Sequence, residues 1–187
     1  MIVFEEYNEE LQKLSSSFSC GNITIDNFLR SAQSLETDIC KTYVMIETDK
    51  NEIIGYFSLA ADAVLNPPDY SDMNKLTFIG GAIRIYMFAI DEKYQKQSVD
   101  VMISESEFIS KTYASILLLT CFEYIDEIVK NHLGATYIIL SATEQGIGLY
   151  QNIGGFNFLD EEEVIGYVQG DGPCRAMYKF IKEENYK

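Results

Sequence analysis

The spacing of apolar positions along the chain switches between two and three-to-four residues, and the switches mark its elements. Ile2 to Phe4 is a short β-branched and aromatic run that fits an edge strand. In FSCGNITIDNFLRSAQSL, Ile25, Phe28, Leu29, Ala32 and Leu35 recur at helical spacing, which predicts a helix over residues 23–36 with Asn22 or Thr24 as its N-cap. TYVMIET and EIIGYFSLAADAVL then read as two strands joined by the polar tip Asp49-Lys50-Asn51, a hairpin. Asn66-Pro67-Pro68 breaks the second strand, and residues 66–79 read as a loop. Gly80-Gly81 introduces the strand AIRIYMFAID, after which EKYQKQSVDVMISESEF is polar and weakly periodic. KTYASILLLTCFEYIDEIVKNH carries Ile116, Leu119, Ile125 and Ile128 at helical spacing, a helix that should end before Gly134. ATYIILSA has the continuous apolar character of a strand buried on both faces. TEQGIGLYQNI is a short helix stopped by Gly154-Gly155, followed by GFNFLDEEE, the turn-prone GYVQGDGP and a last strand, CRAMYKFI.

The predicted order is β-α-β-β-β-α-β-α-β-β, an α+β or mixed α/β sheet with helices covering it. A purely parallel doubly wound fold is excluded, because several neighbouring strands are joined by connections too short for crossovers. At 187 residues, with no internal repeat or linker, the expectation is one domain over 1–187.

Charge narrows the partners. There are 14 Lys and Arg against 29 Asp and Glu, a net charge of -15, and the acids are spread along the whole chain. Such a surface disfavours phosphate backbones and anionic membranes, so neither nucleic acid nor membrane is the first expectation for a partner. Cys20, Cys40, Cys121 and Cys174 form no CxxC pair, and His132 is the sole histidine, so no metal site or disulfide framework is expected. His132 lies near the end of a helical pattern, where a surface histidine is the plainer reading than a catalytic one. MIVFEEYNEE has no basic n-region, and no apolar run is long enough to span a bilayer, which points to the cytoplasm.

The strand IRIYMFAID with Glu92-Lys93-Tyr94-Gln95 behind it, then a helix, an apolar strand and LYQNIGGF, resembles the GCN5-related N-acetyltransferase (GNAT) family across nearly the whole chain. FSCGNITIDNFLRSAQ, TYVMIE and IIGYFSLAA look like the subgroup that contains the acetyltransferase toxins of toxin-antitoxin pairs. The resemblance implies a central mixed sheet whose splayed strand binds acetyl-CoA as cosubstrate. It places Phe88, Ala89 and Ile90 against the pantetheine arm, mainly through main-chain groups; the plainer reading of MFAI is core sheet.

The family's pyrophosphate turn, Gln/Arg-x-x-Gly-x-Gly/Ala, has two registers here. Read directly after the strand, Gln95 to Asp100 lacks both glycines and ends in an acid. If Lys96 to Phe108 is an insertion, Ile109-Ser110-Lys111-Thr112-Tyr113-Ala114 falls at the motif and Ser115 continues into the helix; only Ala114 matches well, but hydroxyls, Lys111 and a helix N-terminus can together hold a diphosphate. Both a working, glycine-poor CoA site and a degenerate one in a binding or regulatory module stay open. By the same resemblance Tyr150 is the general acid that protonates the leaving thiolate, and an unperturbed phenol with a pKa near 10 suits a donor. With 13 tyrosines in the chain, packing is the competing role. Glu47, Asp91 and Glu144 are available as a base and none is assigned. The acceptor is expected to be a small-molecule or peptide amine, with aminoacyl-tRNA, the subgroup's substrate, held as an alternative. Homodimerisation through the terminal strands is compatible with the sequence.

Overall fold

The computed structural model of the chain describes residues 1–66, 77–104, 107–159 and 174–182. Among these residues, nine strands and four α-helices follow in the order β1 (Ile2–Glu6), α1 (Glu9–Gln12), α2 (Ile23–Arg30), β2 (Lys41–Glu47), β3 (Glu52–Asn66), β4 (Thr77–Ile90), β5 (Ser98–Ser104), β6 (Glu107–Thr112), α3 (Tyr113–Asn131), β7 (Tyr137–Thr143), α4 (Ile147–Asn152), β8 (Asn157–Phe158) and β9 (Cys174–Phe180). Seven strands form a mixed sheet in the order β1-β2-β3-β4-β7-β9-β8, and β5 and β6 pair as a separate ribbon. The α+β class expected from the sequence is the one observed.

Two compact units make up the chain: Met1–Leu59 with Met87–Phe122, and Ala60–Tyr86 with Glu123–Lys187. In the first, β1 pairs antiparallel with β2 as an edge strand, and β2 pairs antiparallel with β3. The β2–β3 turn is the polar tip expected, with Asn51 in the left-handed conformation (φ 56°) that asparagine tolerates. Met45 lies opposite Gly55 and Ile46 opposite Ile53, so Ile54 is an extra residue, a β-bulge. Val44, Met45, Ile54, Tyr56, Phe57, Leu117 and Leu118 are fully buried and form the centre of this unit's core.

In the second unit β7 is the central strand. It runs parallel to β4, as a crossover through α3 requires, and antiparallel to β9. Ile138, Ile139 and Leu140 are buried, in line with the strand's unbroken apolar run. Val64, Ala82 and Ile139 are packed by Tyr137, Leu159, Ala176 and Tyr178 into an aromatic-rich cluster.

Four expectations change. The helix expected over 23–36 stops at Arg30 and a 3-10 turn follows over Ala32–Leu35, because Ser31 adopts an extended conformation (φ -84°, ψ 163°) that breaks the α-helical hydrogen bonding. The Asn22 side chain caps α2 by accepting the Thr24 and Ile25 N–H groups at 3.0 and 3.3 Å. Thr77 to Ile79 belong to β4 rather than to a loop, and Gly80 and Gly81 lie inside the strand instead of opening it. The polar stretch after β4 contains the β5–β6 ribbon, whose alternation of Val99, Val101 and Ile109 with Asp100 and Ser110 is of period two. Residues 67–76 and 160–173, including most of the expected loop and the turn-prone GYVQGDGP, lie outside the described residues.

Candidate functional site

β4 gives the site its first element. Its parallel ladder with β7 covers Ala82 to Ile85, opposite Tyr137 to Leu140, and β4 then continues to Ile90. The Asp91 N–H bonds to Ile54 O at 2.9 Å, so residue 91 faces β3. By strand alternation Ala89 faces β3 as well, while Phe88 and Ile90 direct their main-chain groups to the other side. Gly55 lets β3 approach this end of β4: a Cβ there would lie 2.7 Å from Ala89 O and 2.6 Å from Ile90 Cδ1. Ala89 and Ile90 are buried, and Phe88 is half-buried.

The turn after β4 is closed from within. The Asp91 carboxylate, 3 % exposed, accepts the Ser19 and Lys93 N–H groups at 3.0 and 2.9 Å. Both its oxygens are thereby engaged, which makes Asp91 a brace for the turn rather than a base. The Gln95 side chain donates to Ile90 O at 3.0 Å and Cys20 O at 2.9 Å, and Lys96 turns the chain at φ 64°. FSCGN is the other half of this brace. Glu92 N–H bonds Ser19 O at 2.8 Å, Asp26 accepts Cys20 N–H at 2.8 Å, and Gly21 sits at φ 87° with the Glu92 carboxylate where its Cβ would be crowded. Burial, helped by the Asp26 carboxylate, pushes the Cys20 thiol up to about 12.

The residues expected to hold the pyrophosphate lie at the junction of β6 and α3. Ser110, Lys111 and Thr112 end β6 rather than forming a loop, and Tyr113, Ala114 and Ser115 open α3. Strand alternation puts Ser110 and Thr112 on one face and Lys111 on the other. Thr112 Oγ1 accepts the Ser115 N–H at 3.2 Å and lies 2.8 Å from Ser115 Oγ, a cap that satisfies one helix-end donor. The Tyr113 N–H bonds to Gln97 O at 3.3 Å. Two of the helix-end N–H groups and both hydroxyls therefore already have partners inside the protein. The β5–β6 ribbon covers much of Lys96 to Phe108 but also takes in Ser110, Lys111 and Thr112, which pair with Asp100, Val99 and Ser98.

Tyr150 belongs to the second unit, on α4. Its ring is 7 % exposed and meets Phe156 edge-on at 5.9 Å between centroids. Two glycines make its place: a Cβ on Gly146 would come 3.0 Å from Tyr150 Cε2, and one on Gly154 would come 2.6 Å from Tyr150 O. The Phe156 N–H donates to Tyr150 O at 3.0 Å, and Lys179 Nζ to Gly154 O at 2.8 Å, which fixes the end of α4. The expected glycine stop is thus also what admits the tyrosine.

Among the described residues no group of three or more His, Cys, Asp or Glu is arranged to hold a metal, and no helix is long and apolar enough to cross a membrane. His132 is exposed just beyond α3. Sequence reasoning missed Gly55, Ser19 and Tyr94 as builders of the site; the glycine in the middle of an apolar strand was the available signal for the first.

No family model matches the sequence, and no curated protein does. Solved structures do. A structure described as a bacterial toxin superposes with a TM-score of 0.70 at 21% identity, over 97% of this chain and 91% of its own. AtaTR bound with AcCoA superposes with a TM-score of 0.70 at 16% identity, over 96% and 94%. AtaT complexed with acetyl-methionyl-tRNAfMet gives 0.66 at 15%, over 96% and 95%. This chain has the fold of these toxins. At such identities the likeness concerns the fold, and it agrees with the GNAT toxin-like resemblance carried by FSCGNITIDNFLRSAQ, FAID and LYQNIGGF.

Proposed function

We propose that residues 1–187 are a single acetyltransferase domain that moves the acetyl group of acetyl-CoA to a primary amine. The observation that carries this reading is the end of β4: the strand outruns its ladder with β7 and turns the main-chain groups of Phe88 and Ile90 away from β3. An extended pantetheine arm, with two amides, would pair there like an added strand, its amide replacing the Gln95 side chain on Ile90 O. Its diphosphate would be met at the start of α3, by Lys111 and the helix N-terminus, with the Thr112–Ser115 pair able to exchange its internal bond for one to an oxygen.

In this mechanism a neutral amine attacks the thioester carbonyl carbon, a C–N bond forms and the C–S bond breaks. Tyr150 gives its phenolic proton to the departing thiolate and regains one from solvent, while water takes the proton lost by the amine. Holding both substrates in one complex supplies orientation, a large part of such accelerations. A screen with radiolabelled acetyl-CoA against spermidine, a lysine peptide and a pool of aminoacyl-tRNA tests the reading. Label in one of the three supports it, and label in none, from protein that binds acetyl-CoA, sinks it.

A second reading narrows the acceptor to aminoacyl-tRNA. The solved complex of AtaT with acetyl-methionyl-tRNAfMet favours it. The net charge of -15 opposes it, because a tRNA must approach an acidic surface. A further reading, a binding module that has lost CoA, draws on the same glycine-poor turn and is excluded by acetyl transfer.

A further inference from the structure

In the first unit a chain of side chains runs from the start of β3 to the start of α3. Tyr94, in the turn after β4, is 5 % exposed, and its hydroxyl donates to Glu52 Oε2 at 3.0 Å. Glu52 Oε1 pairs with Lys93 Nζ at 3.0 Å, and Lys50 Nζ stands 5.6 Å over the Tyr94 ring, so the ring is held from the hairpin side by a cation. The Tyr94 ring also meets Tyr113, the first residue of α3, edge-on at 5.2 Å. The main chain repeats the connection, with Gln97 N–H on Tyr94 O at 3.2 Å and Tyr113 N–H on Gln97 O at 3.3 Å.

The usual way to bring a helix start against a diphosphate is a glycine turn that places the backbone directly. Here the seven residues Asp91 to Gln97 and the β5–β6 ribbon stand between β4 and α3, with no glycine. Something else must fix where α3 begins relative to β3 and the end of β4. We propose that Tyr94 is a positioning residue for acetyl-CoA: anchored to β3 by Glu52 and packed on Tyr113, it sets the place of the α3 N-terminus at which the diphosphate binds. The inference rests on the acetyl-CoA reading of the same site. Tyr94 itself touches no reacting atom, so its loss acts on cosubstrate affinity and leaves the acid at Tyr150 alone.

Calorimetric titration with acetyl-CoA, well below each protein's melting temperature, separates the outcomes. Tyr94→Leu removes ring and hydroxyl and should weaken Kd by about tenfold or more, a loss of about 1.4 kcal/mol. Tyr94→Phe keeps the ring on Tyr113 but loses the hydroxyl's anchor on Glu52, so it should recover part of the loss and leave Kd about threefold weaker than in the starting protein. Glu52→Leu frees the hydroxyl without touching the ring and should match Tyr94→Phe, which keeps the idea testable if Tyr94→Leu does not fold. Wild-type Kd in Glu52→Leu and in folded Tyr94→Leu, with only the melting temperature lowered, would overturn the inference and leave the acetyl-CoA reading standing. Absence of acetyl-CoA binding in the unaltered protein would overturn that reading and the inference with it.

Discussion

Tyr150 packs beside Gly146 and Gly154 and meets Phe156 edge-on, and its 7 % exposure fits an acid and a packing residue alike. Substitution separates them. Tyr150→Phe keeps the edge-on contact with Phe156 and removes the phenolic hydroxyl, so kcat should fall by about 10²–10³-fold, the usual contribution of a positioned acid, with KM for acetyl-CoA changed little. A kcat equal to that of the unaltered enzyme at saturating substrates would assign Tyr150 to the core. A second residue-scale expectation concerns alkali. Burial raises both Cys20 and Tyr94 to about 12, from ordinary values of 9.0 and 10.0, the thiol with help from Asp26 and the phenol with help from Glu52. Between these limits the unfolded chain has lost protons that the folded one retains, so folding stability is whole below pH 9 and declines from pH 9 towards 12. The melting temperature should decline over that range, and Cys20→Ser should flatten its first part; a curve identical for both proteins would contradict the assignment.

Among the elements, β3 and α4 offer opposite uses of glycine. At Gly55 a methyl group would meet the main chain at Ala89 O, so Gly55→Ala should cost about 1–3 kcal/mol through overpacking. It should also weaken acetyl-CoA binding by displacing the end of β4. At Gly148 the nearest atom to a new Cβ is Asn152 Nδ2 at 3.9 Å, and Gly148→Ala should stabilise α4 by about 0.5–1 kcal/mol. Denaturant melts of the two proteins check both signs. The α2 cap is a third case: Asn22→Ala should cost about 1 kcal/mol, read in the same melts.

Much of this element structure was legible in the sequence. Apolar spacing located β2, β3, β4, α3, β7 and α4, because each buries a face large enough to impose its period. The β5–β6 ribbon escaped because, among the described residues, its strands pair only with each other, and Met102 and Phe108, largely exposed on the same face as Asp100 and Ser110, interrupt its short period-two alternation. The site was legible where it depends on local pattern, as at FAID and LYQNIGGF. It was not legible where it depends on distant pairs, such as Ser19 with Asp91 or Tyr94 with Glu52, whose members lie 72 and 42 positions apart.

For the molecule as a whole, the charge and the fold pull apart. The fold is that of proteins solved with acetyl-CoA and with acetylated tRNA, while the chain is strongly acidic; on the proposed reading, Lys111 and the start of α3 would draw the anionic cosubstrate. Screening should therefore matter locally, and binding of acetyl-CoA should weaken as salt rises despite the overall negative charge. The most direct test of the account is a calorimetric titration of the purified protein with acetyl-CoA, paired with Lys111→Glu. The account predicts one site of micromolar affinity that the substitution weakens by about tenfold or more, a loss of about 1.4 kcal/mol. A folded protein that takes up no acetyl-CoA would contradict it, and the fold would then serve a partner other than the cosubstrate.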